Sequence, residues 1–83
     1  MNAEQELIQR LLATINEAPD PLHFDLTPSV HALSAMGVQV LPALLPLLSS
    51  TDPRTRQRAQ RVLERVTFSE ISKTEAAAAV RRG

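Results

Sequence analysis

The feature that most constrains how this chain can fold is an apolar run joined by a short polar turn to an arginine-rich segment, at residues 38–66. At about 100° per residue, the large apolar residues of the run cover roughly half of a helix. They are Val40, Leu41, Leu44, Leu45, Leu47 and Leu48. Pro42 lies in the first turn, where a missing N–H is harmless, whereas Pro46 removes an internal hydrogen bond. We therefore predict a helix that bends at Pro46 and is buried on most of its circumference.

The polar turn and the second helix complete a hairpin. Residues 49–51 end the apolar helix, Asp52 is suited to cap the next helix, and Pro53 suits its first position. Apolar residues then recur at helical spacing as an inward stripe: Ala59, Val62, Leu63 and Val66. Arginines recur at i, i+4, i+7 and i+11 on another face, and we call them the arginine ridge: Arg54, Arg58, Arg61 and Arg65.

This hairpin resembles a HEAT repeat. The resemblance is carried by residues 47–59, with the sequence LLSSTDPRTRQRA, and by the Val-Leu pair at 62–63. The positions that match the family pattern are Asp52, Pro53, Arg56, Ala59 and Leu63, and Thr55 stands where valine is usual. The resemblance implies that Asp52 and Arg56 brace the turn. It also implies that second helices of successive hairpins line a concave binding surface, with the arginine ridge on or beside it.

Residues 1–37 indicate a first hairpin that lacks the Asp-Pro turn and the Val-Arg pair of the family pattern. Asn2 and Gln5 can form a capping box for a helix that runs to about Ala18. Its apolar stripe consists of Leu7, Ile8, Leu11, Leu12 and Ile15. After an irregular linker, Thr27 is suited to cap a short helix that Gly37 ends in a left-handed conformation. We expect the apolar linker residues to turn inward between the helices: Leu22, Phe24 and Leu26.

The C-terminal residues predict a separate last helix. A brief turn is expected at residues 67–69, and Ser72 with Glu75 offers another capping box for a helix to about Arg82. Its only large apolar residues are Ile71 and Val80, so it has little area to bury. Three interpretations remain open: a loosely packed cap, a frayed tail, or a helix that docks on something outside this chain.

The sequence thus predicts an all-α fold of about five helices in one small domain, residues 1–83. Residues 1–37 form the first, degenerate hairpin, residues 38–67 the HEAT-like hairpin, and residues 68–83 the C-terminal helix or tail. Two hairpins stacked side by side would be a minimal HEAT-like solenoid. Because Phe24 and Phe68 are the only aromatic residues, the core must be aliphatic.

Few residues could carry catalysis or bind a metal. The chain has no cysteine, and His23 and His31 lack the spacing of paired metal ligands. No carboxylate pair is placed for acid–base chemistry, and neither glycine belongs to a phosphate-binding loop. We therefore expect no catalytic residue, no metal and no cofactor, and hence no enzyme. With no basic leader and no apolar run of membrane-spanning length, we expect a cytoplasmic protein without a membrane partner.

The charge distribution is lopsided although the net charge is zero. Residues 1–52 hold six acidic residues against Arg10 alone, whereas eight basic residues face three glutamates from Pro53 onward. The leading hypothesis is a non-enzymatic protein–protein interaction module, a small HEAT-like adaptor, assembly factor or inhibitor. It would bind an acidic partner surface through Arg54, Arg58, Arg61 and Arg65, which present bidentate donors suited to carboxylates.

Several alternatives stay open at this point. The ridge could be an ordinary solvated face, although only Glu64 lies near it as a possible partner. The acidic front of one copy could meet the basic rear of another in self-association. The same arginines could bind nucleic-acid phosphates, although the acidic first half opposes this. The resemblance also admits a subunit of a HEAT-like lyase.

Overall fold

The computed structural model describes the backbone of residues 2–82 and the side chains of residues 2–79, and this part of the chain contains helices and no strand. The α-helices are α1 (Ala3–Ala13), α2 (Pro28–Met36), α3 (Leu41–Leu44) and α4 (Pro53–Arg82). Since α3 is a single turn, three helices of nine residues or more form the fold, instead of the expected five or so. The all-α class is confirmed, and the number of helices is corrected.

The predicted starts of α1 and α2 are confirmed. The Asn2 side chain accepts a hydrogen bond from the Glu4 N–H at 2.7 Å and caps α1. The Thr27 Oγ1 accepts from the Val30 N–H at 3.2 Å and donates to the Ile15 carbonyl oxygen at 2.8 Å. Thr27 therefore caps α2 and also ties its start to the chain that follows α1.

Helix α1 ends at Ala13, earlier than the expected Ala18. The Thr14 N–H donates to the carbonyls of both Arg10 and Leu11, and the Ile15 N–H donates to Leu12, so the chain tightens into i to i+3 turns. Helix α2 ends as predicted at Gly37, whose φ of 84° is readily adopted only by glycine.

The predicted bent helix is instead a proline segment, residues 37–49, made of three short pieces. A 3₁₀ helix (Gly37–Val40) leads into the single turn of α3, and a second 3₁₀ helix (Leu45–Ser49) follows. Pro42 and Pro46 lie in the first turns of the last two pieces, because neither proline can donate to a carbonyl four residues earlier. Leu45 is 55% exposed, so burial of this segment is less extensive than predicted.

Helix α4 runs through the turn that was expected at residues 67–69. No glycine or proline occurs between Arg54 and Arg82, and Thr67, Phe68 and Ser69 each cost a helix only a few tenths of a kcal/mol. The Lys73–Glu70 ion pair at 3.3 Å adds local support at i, i+3 spacing. We call residues 67–79 the α4 extension, whose side chains are mostly exposed.

All four α-helices and the 3₁₀ turn before α3 contribute to one aliphatic core, as predicted. Its residues are Ile8, Leu12, Ile15, Val30, Leu33, Val40, Leu44, Ala59, Val62 and Val66. Helix α4 packs against α2 and the proline segment, and α1 packs against α2 and α3. Both phenylalanines lie outside this core and are exposed, Phe24 at 70% and Phe68 at 73%.

Within the described residues, Pro28–Ser49 is one helical stretch long and apolar enough to cross a membrane by length and composition. This corrects the expectation that no run reaches that length, because α2 continues into the proline segment without a charged residue. Core helices of soluble proteins and signal sequences also have such a composition, and here Val30, Leu33, Val40 and Leu44 belong to the core.

Leu44 and Leu45 provide a matched test of this packing. Leu44 is 0% exposed in the core, so Leu44→Asp buries an unpaired carboxylate and should abolish the cooperative thermal transition seen by circular dichroism. Leu45→Asp introduces the same group at a half-exposed neighbour and should change the free energy of unfolding by less than about 1 kcal/mol. Equal effects of the two substitutions would contradict the described core.

Candidate functional site

The start of α4 is braced by Asp52 and Arg56. The Asp52 Oδ1 accepts from the Arg54 N–H at 3.0 Å, and its Oδ2 accepts from the Thr55 hydroxyl at 3.3 Å. The Arg56 Nη1 donates to the Ser50 carbonyl oxygen at 2.7 Å. Both carboxylate oxygens of Asp52 are thus engaged, and Asp52 and Arg56 hold the turn that orients the arginine ridge.

Arg58 is a buried residue and not part of an open ridge, which corrects the sequence prediction. Its side chain is surrounded so closely that the residue is only 5% exposed. The guanidinium donates from Nε and Nη2 to the Phe24 carbonyl oxygen, at 3.1 and 2.7 Å, and from Nη1 to the Asn16 Oδ1 at 2.7 Å. Arg58 therefore fastens the chain between α1 and α2 to the side of α4.

That chain contains a compact loop at residues 20–26. Its ends are joined by a hydrogen bond from the Asp20 N–H to the Leu26 carbonyl at 2.9 Å, and the Asp20 Oδ1 accepts from the Leu22 N–H at 2.8 Å. Leu26 packs partly against the core, but Leu22 is 86% exposed and Phe24 faces solvent as well. The expectation that Leu22, Phe24 and Leu26 all turn inward is therefore wrong for Leu22 and Phe24. At Phe24 the carbonyl group, and not the ring, is held against α4.

Arg61 and Arg65 remain partly exposed and also meet residues outside α4. The Arg61 Nε lies 3.2 Å from the Asp25 Oδ2, an ion pair without hydrogen-bond geometry, and its Nη1 lies 3.5 Å from the Glu64 Oε2. The Arg65 Nη1 lies 2.8 Å from the His31 Nδ1. Because a guanidinium only donates, this contact requires the neutral His31 tautomer whose Nδ1 accepts.

Arg54 is the most accessible member of the ridge. Its side chain is exposed and makes no hydrogen bond or ion pair with any residue of the described part of the chain. It lies one turn before Arg58 and lines a shallow recess together with Asn16, Pro19, Phe24, Gln57 and Arg58. A second recess further along α4 is lined by Arg61, Glu64, Arg65 and Phe68. The loop thus divides the ridge into two accessible parts.

The ridge keeps most of its positive charge despite these contacts. Among the described side chains, Arg61 alone of the four ridge arginines lies within 4.0 Å of a carboxylate. The partners of Arg58 are a carbonyl and an amide oxygen, and that of Arg65 is an imidazole nitrogen, so neither contact cancels a charge. Hydrogen bonding within the chain therefore orients the guanidinium groups of Arg58 and Arg65 without neutralising them.

The residues that sequence reasoning missed are Asn16 and the Phe24 main chain. Asn16 was expected to lie within the first helix, which instead ends at Ala13. Phe24 lies in the irregular linker, where no periodicity indicates which group faces α4. The described residues contain no group of three or more histidine, aspartate or glutamate side chains that could hold a metal ion. Comparison with family models, curated proteins and solved structures finds no match for this chain.

Replacement of Arg58 tests its structural role. Arg58→Ala removes three hydrogen bonds from a charged donor and leaves the Phe24 carbonyl and the Asn16 oxygen without that partner. We expect a loss of about 2–4 kcal/mol in the free energy of unfolding measured with urea. Arg54→Ala, one helical turn away and exposed, should stay within about 0.5 kcal/mol of the wild type. A loss for Arg58→Ala no larger than that for Arg54→Ala would contradict the assignment.

Proposed function

We propose that this protein is a non-enzymatic protein–protein interaction module, a small adaptor, assembly factor or inhibitor that binds an acidic partner surface. The observation that carries the proposal is the uncompensated charge of the ridge, in which only Arg61 has a carboxylate partner among the described residues. A face of guanidinium groups attracts an acidic surface at long range and offers it bidentate donors at contact. Arg58 serves the fold, so binding falls to Arg54, Arg61 and Arg65.

The packing of the helices is consistent with the proposed HEAT-like arrangement. Helix α4 packs on the proline segment, and the Asp52 and Arg56 contacts at their turn are those that the family resemblance implied. In this proposal α1 with α2 forms the degenerate hairpin, and the proline segment with α4 forms the second one. The ridge then belongs to the second helix of its hairpin, the helix that lines the binding surface in such repeats.

The α4 extension offers apolar area beside the charged face. Phe68 is 73% and Ile71 is 51% exposed, and Phe68 lines the same recess as Arg61 and Arg65. Helices gain most of their stability from packing an apolar face, so an extension with exposed apolar residues favours contact with another molecule. In the proposal an acidic partner surface engages the arginines while its apolar residues cover Phe68.

Charge reversal tests the proposed function. The double variant Arg54→Glu with Arg65→Glu should lose proteins that co-purify with the wild type, because each change replaces an attractive charge with a repulsive one. Arg10→Glu is the control: it reverses an exposed positive charge on α1, outside the ridge and the α4 extension. Retained proteins are compared by quantitative mass spectrometry after pull-down from the native host, with circular dichroism confirming that both variants fold.

Each outcome of this comparison has a definite meaning. Partners retained by wild type and Arg10→Glu but lost by the double variant support the proposal. Partners retained equally by all three proteins contradict it. If binding disappears after nuclease treatment of the lysate, the ridge contacts nucleic-acid phosphates instead of an acidic protein surface.

A further inference from the structure

The recess between the loop and the first turns of α4 combines a cation that has no partner among the described residues with an exposed aromatic ring. We infer that this recess, lined by Arg54, Phe24, Pro19 and Gln57, binds an extended peptide segment in which an acidic residue stands next to an apolar one. The inference rests on the proposed function and assigns to one part of the ridge a ligand of defined chemistry.

The first argument is the difference between Arg54 and the other ridge arginines. Arg58, Arg61 and Arg65 each use their guanidinium on a group of the same chain, whereas the Arg54 guanidinium contacts no hydrogen-bonding partner in the described residues. The carboxylate closest in sequence, Asp52, has both oxygens committed to the α4 start. Arg54 therefore presents its planar donor set to solvent, where a carboxylate of another molecule fits it bidentately.

The second argument is that the ring of Phe24 is presented by a constrained backbone. The loop is closed between Asp20 and Leu26, and the Phe24 carbonyl accepts two hydrogen bonds from buried Arg58. An exposed aromatic residue on a mobile loop loses entropy when it binds, but here the backbone is already fixed before binding. The same buried arginine thus fixes the backbone that carries the aromatic wall of the recess beside Arg54.

The chemistry of the ligand follows from these walls. The carboxylate of the acidic residue pairs with Arg54, and the adjacent apolar side chain covers the Phe24 ring and Pro19, which is also exposed. The exposed amide of Gln57 offers one donor group and one acceptor to the peptide backbone between them. An acidic segment without an apolar neighbour would use the charge of Arg54 and leave the ring uncovered.

NMR titration with short peptides tests the inference. The probe is a terminally blocked hexapeptide with Glu-Leu at its centre, added to ¹⁵N-labelled protein up to several times a dissociation constant on the order of 1 mM. Its controls replace Glu with Gln, or Leu with Ser. We expect amide shifts at Phe24, Arg54 and Gln57 with the Glu-Leu peptide, and binding weakened roughly tenfold with the Gln control.

Protein variants separate the two walls of the recess. Arg54→Gln and Phe24→Ser should each weaken binding of the Glu-Leu peptide several-fold. Leu22→Ser, in the same loop and even more exposed, and Arg10→Gln, an exposed arginine elsewhere, should leave the affinity unchanged. Because Arg58 holds the Phe24 carbonyl and not its ring, Phe24→Ser should keep the wild-type stability, which thermal unfolding monitors.

Four results would overturn the inference. Equal shifts with all three peptides, or no shift at the recess, would show that the recess does not recognise an acidic residue next to an apolar one. Shifts confined to Arg61 and Arg65 would leave the proposed function standing and move the site along the ridge. Shifts at Phe24 and Arg54 that appear when the protein alone is concentrated would identify a second copy of the chain as the occupant.

Discussion

The arrangement of this small fold depends on a buried guanidinium that has no carboxylate partner among the described side chains. Arg58 donates to the Phe24 carbonyl and to the Asn16 side chain, and so joins the irregular chain after α1 to the middle of the longest helix. Burial of a charge is costly unless its hydrogen bonds are satisfied, and here Nε, Nη1 and Nη2 each have a partner. Arg58 lies 34 residues after Phe24 and 42 residues after Asn16 in the sequence. A single side chain therefore fixes the long connection between α1 and α2, most of which lies at the surface, outside the aliphatic core.

This contact changes what a row of arginines on a helix does. Regular spacing places Arg54, Arg58, Arg61 and Arg65 on one face, but the loop lies over the second of them and contacts the third through Asp25. Arg58 therefore stabilises the fold, whereas the other three arginines of the ridge stay partly or fully accessible to a partner. Neutral acceptors at Arg58 and Arg65 leave the positive charge in place, and that charge is the physical basis of the proposed binding to acidic segments.

Sequence reasoning succeeded where the cause of structure is local. Thr27 and Asp52 cap their helices because the cap depends on the next three residues, and Gly37 ends α2 because its φ of 84° suits glycine. The aliphatic core followed from composition and helical period. The proline segment was harder to predict. Two prolines four residues apart indicated a bent helix, but they did not indicate its division into short α and 3₁₀ pieces.

The candidate site was predictable in part. The helical period gives the angular position of Arg58 on α4, but it contains no information about which distant segment covers that position. The exposure of Phe24 and Leu22 was missed because apolar side chains were assumed to turn inward, whereas the loop is held by its backbone. The expected break after Val66 arose from a capping pattern at Ser72 and Glu75, although no residue there stops a helix.

The division of the ridge into structural and accessible arginines can be measured directly on the side chains themselves. In ¹⁵N spectra of the arginine Nε–H groups, hydrogen exchange of Arg58 should be slowed strongly relative to that of Arg54, since one Nε–H is buried against a carbonyl and the other faces water. Exchange at Arg58 that is as fast as at Arg54 would contradict the account, because the loop would then not be fastened to α4.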